Sequence, residues 1–310
     1  MFAEIKIMTD QSPDTKAELL IQALPYIRTF QGKTIVIKYG GNAMIDDTLK
    51  RAVVRDVLLM RYVGINPILV HGGGPEVSDA MRKMGKEPAF VGGLRVTDAE
   101  TMEIVEMVLT GKTNQSIVAL LNAEGGQKNG AGIAVGLSGK DANLLQAVRE
   151  TGRGDIGFVG RVNKVNPQIL QTLSGAGYIP VLSSVAVGSE GESYNVNADT
   201  AAAAIAVAVR AEKLILLTDT EGLYRDFADK GSLLSEITAA DAREMLRSGS
   251  VDAGMIPKLE ACAEAVEDGV ERAHIIDGRR LHSLLIEVFT DGGIGTMVKP
   301  AETGYRPLLV

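Results

Sequence analysis

Apolar residues along the chain fall into two alternating patterns. Short continuous runs suit strands buried on both faces. Longer stretches, in which apolar residues recur every three or four positions, suit helices packed by one side. Residues 1–12 read as frayed, and Ser12-Pro13-Asp14 then opens a helix whose apolar side carries Leu19, Leu20, Leu24, Ile27 and Phe30. Pro25 predicts a kink there or two short helices. Thr34–Lys38 is the first core strand. Asp46 or Asp47 caps a helix running to about Val63, with Val53, Val54, Val57, Leu58, Met60 and Tyr62 inward. Strand Ile68–Val70 completes a strand–helix–strand unit, which favours parallel pairing with a right-handed crossover.

The same two patterns continue. Helices are predicted over Ala99–Leu109, Asn114–Asn122, Asp199–Arg210, Ala239–Ser248, Ile256–Glu267 and about Leu281 to Phe289. Strands are predicted over Ile133–Leu137, Lys213–Thr218 and Ala273–Ile276, with Val159–Val165 in a hairpin. Ile179–Val187 reads as one strand with an irregular serine pair, and Gly152–Gly160 as a mobile loop or hairpin. The fold class is α/β, with a mainly parallel sheet covered by helices on both faces. A helical extension over 1–30 precedes two lobes, 31–210 and 211–310, divided where the small-residue helix hands over to Lys213–Thr218.

Composition narrows the function classes. A chain of 310 residues, 45% hydrophobic and 23% charged, has an ordinary globular balance. A net charge of -7 argues against broad nucleic-acid binding. The single cysteine, Cys262, excludes an internal disulfide framework and reads as a packed thiol in an alanine-rich helix. With no signal-peptide pattern and no long apolar span, Thr200–Val209 being too short, a cytoplasmic location without membrane contact is expected.

Two strand patterns end in glycine turns, Lys38-Tyr39-Gly40-Gly41 and His71-Gly72-Gly73-Gly74-Pro75. Glycines let backbone N–H groups approach a ligand, and Pro75 suits the first turn of a helix. Donors and a helix N-terminus converging at strand ends suit an anion such as phosphate. Two familiar phosphate loops are excluded. Gly111-Lys112-Thr113 resembles the tail of a P-loop, but Glu106 stands where a glycine is needed and no strand precedes it. Neither glycine turn reads G-x-G-x-x-G, so a dinucleotide fingerprint is absent. Lys38, Lys258 and Asp199 remain as charges for phosphoryl transfer, which demands positive charge around the moving group. Singly, a strand-end lysine is usually solvated and an aspartate near a helix start usually a cap. Spacing alone does not show that the three meet.

At these residues the sequence resembles the amino-acid kinase family. The match is carried by Lys38-Tyr39-Gly40-Gly41-Asn42-Ala43, His71–Pro75, Gly93-Leu94-Arg95-Val96-Thr97, Asn195–Thr200, Leu216–Asp219 and Gly254–Lys258, in family order, spanning 33 to 299. It is closest to the branch that acts on N-acetyl-L-glutamate. The resemblance implies a three-layer αβα sandwich and transfer of the γ-phosphoryl of ATP, with Mg²⁺, to the side-chain carboxylate of N-acetyl-L-glutamate in arginine biosynthesis. By matching position, Lys38 and Lys258 stabilise the moving phosphoryl group and Asp199 orients them. Gly41, Gly73, Gly74, Arg95 and Asn195 hold substrate, and Gly40, Thr218, Asp219 and Lys258 serve the nucleotide. No metal ligand is assigned. Ala253 departs from the family, where a second glycine before Met255 is common. The alternatives are a relative acting on aspartate, carbamate or a nucleoside monophosphate, and a non-catalytic arginine sensor.

The helix before residue 31, with His274–Arg279 and Glu287–Thr296, resembles the arginine-sensitive form. There amino-terminal helices link dimers into a hexamer, and His274, Glu287 and Gly293 would contact arginine as inhibitor. Some relatives also carry a PII-type signalling partner, on which no local motif here decides.

Overall fold

The computed structural model describes residues 12–126, 130–152, 154–226 and 228–301, the Asn42 side chain excepted. The expected fraying of 1–11 lies outside them. Helix α1 spans Pro13–Phe30, its start capped by the Ser12 side chain accepting from the Thr15 N–H. It runs through Pro25 as one element rather than two short helices. Then come β1 Thr34–Tyr39, α2 Asp47–Tyr62, β2 Asn66–His71 and α3 Gly74–Lys83. Asp46 caps α2 by accepting from the Leu49 N–H at 2.9 Å. The hairpin β3 Phe90–Val91 and β4 Leu94–Arg95 precedes α4 Ala99–Glu106. Between α4 and α5 Asn114–Glu124 the chain stays helical through a π-helical stretch, Met107–Thr113, where two separate helices were expected. Gly111-Lys112-Thr113 therefore sits inside helix and forms no P-loop.

Strands β5 Ala134–Ser138, β6 Leu145–Arg149 and β7 Val159–Val165, helix α6 Gln168–Gly175, then β8 Ile179–Ser183, β9 Val185–Val187 and β10 Ser193–Val196 complete the first half. The expected single strand Ile179–Val187 breaks at Ser183-Ser184. Its first part pairs with β2 and β5, and its second joins a separate small barrel in the order β10-β7-β6-β9. The hairpin expected at Val159–Val165 is β6–β7.

The rest comprises α7 Ala198–Ala208, β11 Lys213–Thr218, β12 Glu236–Thr238, α8 Ala239–Ser248, α9 Ile256–Glu267, β13 Arg272–Asp277, α10 Ser283–Phe289 and β14 Thr296–Lys299. The main sheet has the order β12-β14-β13-β11-β1-β2-β8-β5. All ladders from β13 to β5 are parallel, and β14 runs antiparallel to β13. It is continuous across Arg210 through the β1–β11 ladder. Alternate residues feed two cores. Val36, Leu214 and Leu216 pack with α7 and α9, while Ile35, Ile37, Ile215 and Leu217 pack with α2 and α10. This is the three-layer α/β sandwich, with Cys262 buried in the first core. No helix among the described residues is long and apolar enough to cross a membrane.

Candidate active site

Strand β1 lies where the winding of the sheet reverses, with β2 on one side and β11 on the other. Crevices in open α/β sheets form at the strand C-ends beside such a reversal. Here that edge carries Lys38 near the end of β1, Gly40 and Gly41 after it, Gly72–Gly74 after β2, and Asp219 after β11. Asn197 caps α7, its side chain accepting from the N–H groups of Asp199 and Thr200. Asp199 is thereby fixed in the first turn, facing β1. Ala201, Ala202 and Ala206 are buried, so α7 lies close to both the sheet and α9. Pro257 starts α9 and brings Lys258 to the same carboxylate.

One carboxylate thus holds two amines. Lys38 Nζ is 3.0 Å from Asp199 Oδ1, and Lys258 Nζ is 3.3 Å from Oδ2. Burial pushes the Asp199 carboxyl up, but Lys38 and then Lys258 outweigh it and hold it below the ordinary range. The aspartate stays ionised, and the pair of lysines leaves net positive charge at the cleft. Two glycines lie close against charged side chains here. A Cβ on Gly40 would stand 2.8 Å from Lys38 Nζ. Gly41 has φ +69°, and a Cβ there would meet the Asp219 carboxylate at 2.6 Å.

The cleft encloses about 240 Å³ and is lined by Lys38, Gly40, Gly73, Arg95, Asn195 and Asp199 among others. Gly41 and Gly74 also border it. Arg95 is buried at 7% exposure. Its Nη2 donates to Gly74 O and Ser78 Oγ, both at 2.8 Å, and its guanidinium lies 4.8 Å from the centre of the Phe90 ring. Among the described residues no carboxylate forms an ion pair with it. Burial, with Arg82 adding, lowers its pKa. Asn195 Nδ2 donates to Thr97 Oγ1 at 3.2 Å, and Thr97 donates to Arg95 O at 2.8 Å, which ties the two substrate candidates together.

Thr218 is buried at the end of β11, its carbonyl accepting from Gly278 N–H. It and Asp219 flank the cleft on its β11 side and do not line it. Sequence reasoning missed Ser78 and the role of Tyr39, whose hydroxyl donates to Ala43 O at 2.7 Å and closes the turn around Gly40 and Gly41. Ser78 lies one helical turn beyond Gly74, a spacing that signals contact only once Arg95 is known to be there.

A second cavity of about 460 Å³ lies between α1, β13 and α10. His274 Nδ1 is 2.7 Å from Glu287 Oε1, and Glu287 Oε2 accepts from Ile294 N–H at 3.1 Å. Gly293 borders the same carboxylate, and Lys213 Nζ lies 3.2 Å from His274 Nε2. The three residues expected to meet arginine are therefore together.

The amino acid kinase family profile matches residues 33–277. The chain belongs to the amino acid kinase family. A curated member from Pelotomaculum thermopropionicum, acetylglutamate kinase, is 56% identical over 298 residues, 93% of this chain and 99% of that one. The acetylglutamate kinase of Thermoanaerobacter pseudethanolicus is 57% identical over 283 residues, covering 91% and 93%. Among solved structures, N-acetylglutamate synthase from Neisseria gonorrhoeae, complexed with coenzyme A and N-acetyl-glutamate, superposes with TM-score 0.76 at 26% identity. It covers 92% of this chain, and the chain spans 63% of that structure's length. Carbamate kinase from Giardia lamblia shares the fold, with TM-score 0.64 at 16% identity over 87% of this chain and 99% of that one.

Proposed function

We propose that this amino acid kinase transfers the γ-phosphoryl group of ATP to the side-chain carboxylate of N-acetyl-L-glutamate, giving N-acetylglutamyl phosphate, a step of arginine biosynthesis. The names of relatives matching nearly end to end support it. The observation that carries it is the cleft itself. Two lysines share one buried aspartate beside glycine amides, and a buried arginine with no carboxylate partner among the described residues waits a short way along.

The acceptor, a glutamate side chain, is anionic at neutral pH because its ordinary pKa is about 4.3. No general base is needed. The barrier is the meeting of two anions, and the lysines answer it with charge that matters most in the transition state. Asp199 keeps both amines in place without neutralising both. Arg95 offers the backbone carboxylate of the substrate its charge and the N–H groups not taken by Gly74 O, Ser78 Oγ and Met81 Sδ, and Asn195 fixes its amide end. Gly41, Gly73 and Gly74 donate backbone N–H groups. Gly40, Thr218, Asp219 and Lys258 border the nucleotide. Mg²⁺, carried by the nucleotide, would supply neutralising charge to its phosphates. The halves 31–210 and 211–310 act as lobes; Lys258 already reaches across to Asp199, and closure over the bound substrates excludes water.

The second cavity takes arginine as feedback inhibitor, its guanidinium on Glu287 with His274 and Gly293 beside it. The Neisseria synthase, 26% identical, has also been solved with L-arginine. Helix α1 exposes Leu19, Leu20, Ile21 and Leu24, a surface suited to linking dimers into a hexamer.

ADP release is the test, run with N-acetylglutamate, aspartate, carbamate and a nucleoside monophosphate, with and without arginine. Turnover on N-acetylglutamate, reduced by arginine, is expected. Preference for another acceptor, or arginine binding without any turnover, overturns the assignment.

A further inference from the structure

Strand β2 ends at His71, whose ring lies behind the glycine turn and is fully buried. Its Nδ1 is 2.8 Å from Gly72 O, and its Nε2 is 3.0 Å from Asn114 Nδ2. A neutral imidazole has two tautomers. Asn114 selects one of them. The same amide atom lies 2.9 Å from Val181 O and 3.4 Å from Leu137 O, and carbonyls only accept. That atom is therefore the amide nitrogen. The ring atom facing it presents a lone pair, and the ring proton sits on Nδ1, donated to Gly72. The amide is boxed in on its other side, where a Cβ on Gly136 would stand 2.0 Å from Asn114 Oδ1.

A trans peptide is planar, with C=O and N–H pointing in opposite directions. Holding the Gly72 carbonyl toward His71 turns the Gly73 N–H the other way. Gly73 lines the cleft and His71 does not. Among the described residues no acceptor takes the Gly73 N–H. The preceding peptide is also pinned, by Gly72 N–H donating to Tyr39 O at 3.2 Å. Without the ring, two adjacent glycines leave that peptide free to rotate.

We propose that His71, held in its Nδ1–H tautomer by Asn114, is a positioning residue that locks the Gly72–Gly73 peptide with the Gly73 N–H facing the phosphoryl group in transfer. The proposal rests on the acetylglutamate reading for its kinetics, though not for its tautomer. Nitrogen-15 NMR of histidine-labelled protein reads the tautomer directly. The chain has three histidines, so loss of one ring in His71→Asn assigns it. A proton on Nδ1 is expected, and a proton on Nε2 overturns the proposal; if His71→Asn does not fold, His274→Asn and His282→Asn assign the ring by elimination.

Kinetics supply the second arm. Asn at 71 places an amide donor near the lost Nδ1–H, whereas Gln places it near Nε2. His71→Gln should lower kcat about 10- to 100-fold, with both KM values within about threefold, as expected when a developing charge loses an aligned donor. His71→Asn should recover to within about tenfold of the parent at an unchanged Tm. Equal kcat for the two variants, or a loss carried by KM, overturns the proposal. A parent protein inactive on N-acetylglutamate would instead refute the acceptor assignment and leave the NMR result standing.

Discussion

Charge and hydrogen bonding at single atoms set what the cleft can do. Lys38→Ala and Lys258→Ala should each reduce kcat about 100- to 1000-fold, with smaller changes in KM, because their charge acts on the transition state. Steady-state kinetics on purified variants check this, and unchanged turnover in either removes its role. His71 carries a pH consequence. Burial pushes its pKa down to about 4, against the Gly72 hydrogen bond that raises it. The unfolded chain, with a histidine pKa near 6.5, binds a proton that the folded protein refuses. Stability from this residue is therefore full above about pH 6.5 and is lost as pH falls toward 4, by about 3 kcal/mol at most. Urea unfolding of the parent and of His71→Asn should show the parent losing relative stability over that window. Parallel profiles would contradict a buried neutral ring. The charged and glycine residues of the site were legible in sequence as a set of motifs in family order, since singly a strand-end lysine is usually solvated and an aspartate near a helix start usually a cap. Their partners Asn114, Tyr39 and Ser78 were not, since each acts across a contact that spacing does not encode.

Secondary-structure elements deliver these groups, and one delivers the central carboxylate. Helix α7 packs by alanines, and Ala202, one turn beyond Asp199, is fully buried. Ala202→Leu should cost about 1–3 kcal/mol by overpacking, and should lower kcat by moving Asp199 off its two lysines. Urea denaturation with steady-state assays tests both. A stable variant of full activity would show that α7 has slack there. The long central strands β1, β2, β8 and β11 were legible because continuous apolar runs match burial on both faces. Strands β3, β4, β6, β10, β12 and β14 were not predicted, being short and defined by distant partners. The change of sheet at Ser183-Ser184 was also hidden, because both halves of that run are equally apolar.

At the scale of the whole molecule, α1 joins the second cavity to the molecular surface. Phe30 is buried, and Lys213 Nζ lies 5.2 Å from its ring centre, while Leu20 and Ile21 stay exposed. Deleting residues 1–26 should leave catalysis in place, reduce a hexamer to dimers and weaken inhibition by arginine. Sedimentation velocity and inhibition curves check this together, and a truncated protein that stays hexameric and equally sensitive contradicts it. The lobe division at Arg210 was read from the hand-over between α7 and β11, and the sheet is continuous there, so any closure must flex around the β1–β11 ladder.

The most direct test of the account is a crystal structure of the full chain with a non-hydrolysable ATP analogue and N-acetylglutamate bound together. The account predicts Nζ of both Lys38 and Lys258 within about 3 Å of oxygens on the terminal phosphate, with the acceptor carboxylate in line. An ordered ternary complex in which either ammonium stands well apart from that phosphate would contradict it.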